Sequence, residues 1–135
     1  LSAFIEGYVS GDDLQIERDI AGVDTTDPLI KAWLTIKTSA SVLDPGTLQK
    51  IITSNAVAGV GQITEDGSEL QGNGTATLIF QLTAADTLAL GYTLRYYYDV
   101  QVKTAAGRIY TYKDPDTGQT AGQIQFRRGY TDATT

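Results

Sequence analysis

Apolar and polar residues alternate along much of this chain. Between Ile30 and Lys37, the residues Ile30, Ala32, Leu34 and Ile36 fall on one face, opposite Lys31, Trp33, Thr35 and Lys37. That period of two marks a half-buried β-strand, because successive side chains on a strand point to opposite sides. The period returns at Leu14, Ile16 and Ile20, at Ala76, Leu78, Phe80 and Leu82, and at Ile124 and Phe126. Several strands with one apolar and one polar row predict antiparallel sheets that bury one face and wet the other. The expected class is all-β.

The segment GYTLRYYYDVQVKTAAGRIYTYK, Gly91 to Lys113, holds six of the eight tyrosines. Leu94, Tyr96, Tyr98, Val100 and Val102 make one row, and Thr93, Arg95, Tyr97, Asp99, Gln101 and Lys103 make the other. On this pattern most of the tyrosines are expected to fill the core. Thr104 to Gly107 reads as a short hairpin loop in which Gly107 supplies the positive φ, and Arg108 to Lys113 as the returning strand. There, Tyr110 with Tyr112 and Ile109 with Thr111 are both rows of β-formers, so the pattern does not choose the inward one.

Two stretches break the alternation. In DPGTLQKIITSNAVAG, Leu48, Ile51 and Ile52 have helical spacing behind Thr47 as an N-cap, which predicts a short helix or turn bridging two strands. In TAAD, Thr83 to Asp86, a Thr is followed three residues later by an acid; this capping-box pattern predicts a one-turn helix before Gly91. EDGSELQGNGT and KDPDTGQTAG read as loops. With 135 residues, no internal repeat and no linker, residues 1–135 are expected to form a single domain.

Composition narrows the function. Hydrophobic residues at 41% and charged residues at 19% supply enough apolar surface to offset chain entropy. A net charge of -6, with Arg127 and Arg128 the only adjacent basic pair, opposes phosphate recognition, so no nucleic acid is expected as a partner. The chain has no Cys and no His, which removes thiol nucleophiles, disulfides, Cys/His zinc sites and imidazole-based triads. No apolar run approaches the roughly 18 to 20 residues that span a bilayer, and no signal-peptide pattern opens the chain. A soluble protein without a membrane partner is expected. Its start at Leu1, with no Met anywhere, is expected to reflect a processed N-terminus.

Few residues offer chemistry. Asp114, Asp116 and Gly118 have part of the spacing of a calcium loop, but the late bidentate Glu is missing, and a solvated turn accounts for them. Asp12 and Asp13 after Gly11 read the same way, as a turn entering a strand. Glu65, Asp66 and Glu69 are the nearest approach to a glycosidase carboxylate pair, yet they lie in a Gly-rich stretch without an aromatic platform for a sugar. GNGT lacks the Lys-Ser/Thr of a phosphate loop and reads as a turn. No catalytic residue, metal or cofactor is expected. Trp33 is the residue that asks for an explanation: alternation directs it outward, where a large aromatic marks a contact surface unless the predicted helix covers it. Ile79 and Tyr97 also fall on outward rows and would join Trp33 in one apolar patch if their strands share a sheet.

The phrase TAADTLALGYTLRYYYDVQV, Thr83 to Val102, resembles a recurrent pattern of bacteriophage structural proteins: a Thr/Asp turn, a Leu, a Gly, then a Tyr-rich strand ending in Asp-Val-x-Val. SGDDLQIERDI is similar to the opening strand of such domains, PLIKAWLTIKT to the second, and GQIQFRRGYTDATT to the last. The likeness is to the immunoglobulin-like N-terminal domain of phage upper-baseplate and related tail proteins, with DPGTLQKIITSNAVAGVGQITEDG and the KDPDTGQTAG loop as additions. It implies an immunoglobulin-like antiparallel β-sandwich carrying one or two short helical insertions. It further implies a non-enzymatic virion protein of tail, baseplate or neck, a homo-oligomer or multicopy assembly in contact with other virion proteins. A capsid decoration or cement protein, and a carbohydrate- or receptor-binding module, are the alternative expectations.

Overall fold

The computed structural model describes residues 4–5, 8–39, 46–112 and 121–128. The strands are β1 (Phe4–Ile5), β2 (Leu14–Ala21), β3 (Leu29–Lys37), β4 (Leu48–Ile52), β5 (Gly61–Asp66), β6 (Thr75–Leu82), β7 (Tyr96–Thr104), β8 (Ile109–Thr111) and β9 (Ala121–Ile124), with helix α1 (Ala84–Leu90) between β6 and β7. They build two sheets. The larger has the order β1-β9-β7-β3-β4, with β8 also pairing with β7, and the smaller has the order β2-β6-β5. Neighbours are antiparallel except β1 and β9, which run parallel.

The apolar rows meet between the sheets. Ala32, Leu34, Ile36, Ile52, Tyr96, Tyr98, Val100 and Val102 of the larger sheet face Leu14, Ile16, Ala76, Leu78, Phe80 and Leu82 of the smaller. The fold is thus an all-β sandwich with one short helix, and alternation locates most of its core. β5 enters at Gly61, where φ is +129° and any Cβ would overlap the Ile79 carbonyl oxygen of the adjacent strand, so glycine is required by both backbone and space.

Three expectations fail locally. Leu48–Ile52 is a strand and not a helix: its residues pair with β3 from Ala32 opposite Ile52 to Ile36 opposite Leu48. Helical spacing would have buried Leu48, Ile51 and Ile52 together, but Ile52 is buried while Ile51 is 43% exposed. Adjacent β-branched residues favour the strand, and β3 offers them an edge whose backbone groups need partners. Ile30 is 46% exposed, and Leu29 is buried in its stead, because the register against β7 shifts between Leu29 and Lys31. This irregularity inserts one residue and reverses the faces before it. Leu94 precedes β7 and is 53% exposed. The core also takes fewer tyrosines than alternation implied. Tyr96 and Tyr98 are buried and Tyr112 packs against the core margin, whereas Tyr92 and Tyr110 are exposed. The reason is position: Tyr110 belongs to β8 at the edge of its sheet, and Tyr92 lies in the connection between α1 and β7.

The capping box forms as its spacing predicts. The Thr83 hydroxyl accepts the Asp86 N–H at 3.1 Å, and the Asp86 carboxylate accepts the Thr83 N–H at 2.8 Å. The helix runs beyond one turn to Leu90 and closes at Gly91, whose φ is +74°. Buried Thr87 ties it to the turn before β2. Its hydroxyl donates to the Asp12 carbonyl at 2.7 Å and accepts the Gly11 N–H at 2.9 Å. The Asp13 carboxylate accepts the Ala84 N–H at 2.7 Å, satisfying a helix donor that has no intrahelical partner. At the other end, the buried Tyr96 hydroxyl donates to the Leu90 carbonyl at 2.7 Å. The hairpin loop also forms as expected: Gly107 has φ +86° and donates to the Thr104 carbonyl at 2.9 Å.

Candidate contact surface

The polar rows of β3, β4 and β7 form the outer face of the larger sheet. Trp33 is half-buried there, between Ile51 of β4 and Gln101 of β7. The Lys31 ammonium lies 5.1 Å from the centroid of the Trp33 ring, a cation–π distance. β4 runs beside Trp33 and adds Ile51 to its flank, so the segment expected to cover the indole widens the apolar surface around it.

Tyr97 shares this face but not this spot. It is opposite Lys37 while Trp33 is opposite Gln101, a separation of four positions or about 13 Å along the strand. The row between them holds Thr35 and Asp99. Thr35 is buried although it belongs to an outward row, because the Gln49 side-chain amide donates to its hydroxyl at 3.0 Å and the backbone at Gly46 crosses close above it. Ile79 belongs to the other sheet, half-buried between Glu17 of β2 and Gln62 of β5. The three expected contact residues therefore divide: Trp33 and Tyr97 lie on one outer face of the sandwich and Ile79 on the opposite one.

Arg18, which the periodicity passed over, occupies the gap in the inner row of β2 between Ile16 and Ile20. Its guanidinium donates to the Tyr98 hydroxyl at 2.9 Å and lies 5.9 Å from the ring centroid, linking the two sheets. A charge facing inward on an edge strand also discourages indiscriminate strand pairing. The missing apolar residue at position 18 was the available signal. Beyond it, a cleft of about 440 Å³ opens between β2 and β8. Ile20, Val23, Leu29 and Val102 line it together with Tyr110, and Asp19, Asp24 and Arg108 stand among them.

Several acidic side chains have structural partners. The Asp66 carboxylate, at the end of β5, accepts the Ser68 N–H at 2.9 Å and shapes the turn that follows; Glu65 precedes it in the strand and Glu69 follows in the loop. Asp24 is held below the ordinary carboxylate range by the backbone N–H and then the hydroxyl of Thr26. For Asp86, partial burial opposes the charge, but hydrogen bonds from Lys50, 2.7 Å away, and from Thr83 outweigh it and lower the pKa. Both groups are therefore ionised at neutral pH and neither stores a proton for catalysis. Among the described residues no group of three or more His, Cys, Asp or Glu is placed to hold a metal ion, and no helix is long and apolar enough to cross a membrane. Asp114, Asp116 and Gly118 lie outside the described residues. No family model, no curated protein and no solved structure matches this chain.

Proposed function

We propose that this chain is an immunoglobulin-like sandwich serving as a non-enzymatic structural component of a bacteriophage virion, in the tail, baseplate or neck, through contacts with other virion proteins. The strand order supports the immunoglobulin reading. β2-β6-β5 faces β9-β7-β3-β4, with a helix at the β6–β7 corner and the Tyr96 hydroxyl bonded back to Leu90. In immunoglobulin-like domains a tyrosine at the start of the corresponding strand makes the same return bond. Where antibody domains join the counterparts of β2 and β7 by a disulfide, Tyr98, two residues after Tyr96, takes the hydrogen bond of Arg18. Trp33 departs from the antibody pattern, since it faces outward and leaves Leu34 to fill the core.

The virion assignment draws on the likeness of Thr83 to Val102 to phage tail domains. The contact mechanism rests on Trp33, a large aromatic on the outer row of a sheet with exposed Ile51 beside it. Such aromatics anchor protein interfaces because they bury much area at low entropic cost. The test is Trp33→Ser in the phage that encodes the chain. Incorporation into particles should fall while the unfolding free energy of the isolated protein, from urea denaturation, drops by far less than the roughly 3 to 5 kcal/mol expected for a core aromatic. Equal losses of folding and incorporation would make Trp33 a core residue and remove the mechanism.

A further inference from the structure

The two ends of the sandwich differ in charge and in shape. At one end are the β2–β3 turn, the β5–β6 loop and the β7–β8 hairpin, brought together by the registers of β2 with β6 and of β3 with β7. This end carries Asp24, Asp27, Glu65, Asp66 and Glu69, with Asp19 nearby, against Lys31, Lys103 and Arg108, so that six acids meet three bases among the described residues. Within it opens the cleft of about 440 Å³, with its apolar walls and carboxylates at the rim. The result is a socket: an apolar floor inside an acidic margin.

The opposite end is built from the turn before β2, helix α1, the Gly91–Arg95 connection and the residues after β9. Tyr8, Leu88, Tyr92 and Leu94 are exposed there, and so are Arg127 and Arg128. Arg127 bridges to Val9 beside Tyr8, and the Arg128 guanidinium lies 5.9 Å from the Tyr92 ring centroid. Among the described residues this end carries five bases, Lys37, Lys50, Arg95, Arg127 and Arg128, against three acids, Asp12, Asp13 and Asp86.

We propose that the socket of one copy receives the Leu88–Tyr92 end of a second copy, so that the chain associates head to tail. This proposal rests on the assembly reading above and names its partner. Apolar centres would meet inside rims of opposite charge, the arrangement of a desolvated interface core protected by a polar margin. Pairing like ends would instead set acid against acid or arginine against arginine, so an isologous dimer through either end is disfavoured. A heterologous contact repeats, and closes into a ring or grows as a filament according to the rotation between copies.

Charge reversal on the purified full chain tests it, read by sedimentation velocity at low and high salt. Wild type should self-associate and dissociate as salt screens the contact. Arg127→Glu with Arg128→Glu, and separately Asp19→Lys with Glu69→Lys, should each weaken association at least about tenfold. All four residues are exposed, and unchanged circular dichroism and urea midpoints would establish that the variants fold. Mixed together, the two variants should regain the assembly that neither shows alone, because each now supplies the charge the other lacks. Wild type that stays monomeric at all concentrations and salts, or a mixture that fails to recover, overturns the head-to-tail contact. Should Trp33→Ser abolish association while both end variants retain it, the contact lies on the sheet face; the head-to-tail proposal then fails and the assembly reading stands.

Discussion

Tyr96→Phe removes a single oxygen from the centre of the corner between α1 and β7. The ring stays in place, 4% exposed in the wild-type fold, so packing is nearly conserved and the change isolates the bond to Leu90. That bond is short, 2.7 Å, and buried. Its acceptor is one of the last carbonyls of α1, which lack an intrahelical partner. Loss of the hydroxyl therefore costs the net value of a buried hydrogen bond and leaves a carbonyl desolvated, together about 1 to 3 kcal/mol. For a chain of this size a loss of about 2 kcal/mol lowers the melting temperature by roughly 6 to 10 °C. Urea denaturation followed by the fluorescence of Trp33, the single tryptophan, gives the value directly, with Tyr97→Phe on the outer row as a control expected within about 0.5 kcal/mol of wild type. A Tyr96→Phe protein as stable as wild type would refute the reasoning, and would take away the corner bond that supports the immunoglobulin reading.

The two rows of β7 should separate in the free protein: Tyr98→Ala is expected to cost about 3 to 5 kcal/mol and Tyr97→Ala far less, and the opposite ranking by denaturation would invert the inward row. Thr87→Val keeps the shape of a fully buried side chain but strands the Gly11 N–H and the Asp12 carbonyl, for about 2 to 4 kcal/mol; Thr87→Ser should recover most of it, and a harmless Val would contradict the hydrogen-bond assignment. Asp86 is held below the ordinary carboxylate pKa of 3.8, so its contribution is complete above that value and is lost as pH falls below it through the folded pKa. Asp86→Asn should flatten the stability–pH curve in that window, and parallel curves for the two proteins would show that the Lys50 and Thr83 contacts do not favour the charged form.

Alternation was sufficient where two conditions held together, a regular strand and a facing sheet. In β6 and β7 every inward position from Ala76 to Leu82 and from Tyr96 to Val102 is buried as the pattern requires. It misled where one condition lapsed. The bulge after Leu29 is set by how β3 meets β7 across more than seventy residues of chain, and no local window contains that pairing. Ile51 and Ile52 illustrate the limit of periodicity in five-residue strands, since a pair of adjacent apolar residues fits a helical face and a strand equally well; β-branching was the better guide. The capping box was legible because its two hydrogen bonds involve residues three apart, so the whole motif lies inside its own sequence. The Thr87 and Arg18 contacts were not, because their partners Gly11, Asp12 and Tyr98 come from distant strands and turns.

The same period of two that builds the core also fixes which substitutions can report on contact alone. Trp33 and Leu34 are adjacent in sequence but face different surroundings, so a change at Leu34 perturbs packing between the sheets and a change at Trp33 is felt by whatever meets the outer face. Thr35 breaks this simple rule. It shares the outer row with Trp33, yet it is buried beneath Gln49 and the chain at Gly46, so replacing it disturbs both the fold and the face. The outer surface of the larger sheet is consequently divided into an exposed part around Trp33 and Ile51 and a part near Tyr97 separated from it by the covered row. A partner that used both would have to span the covered row, whereas one that used the first alone needs only an apolar recess opposite Trp33. On that geometry Trp33 and Ile51, neighbours across β3 and β4, form the smallest unit on which an interface through this face could be centred.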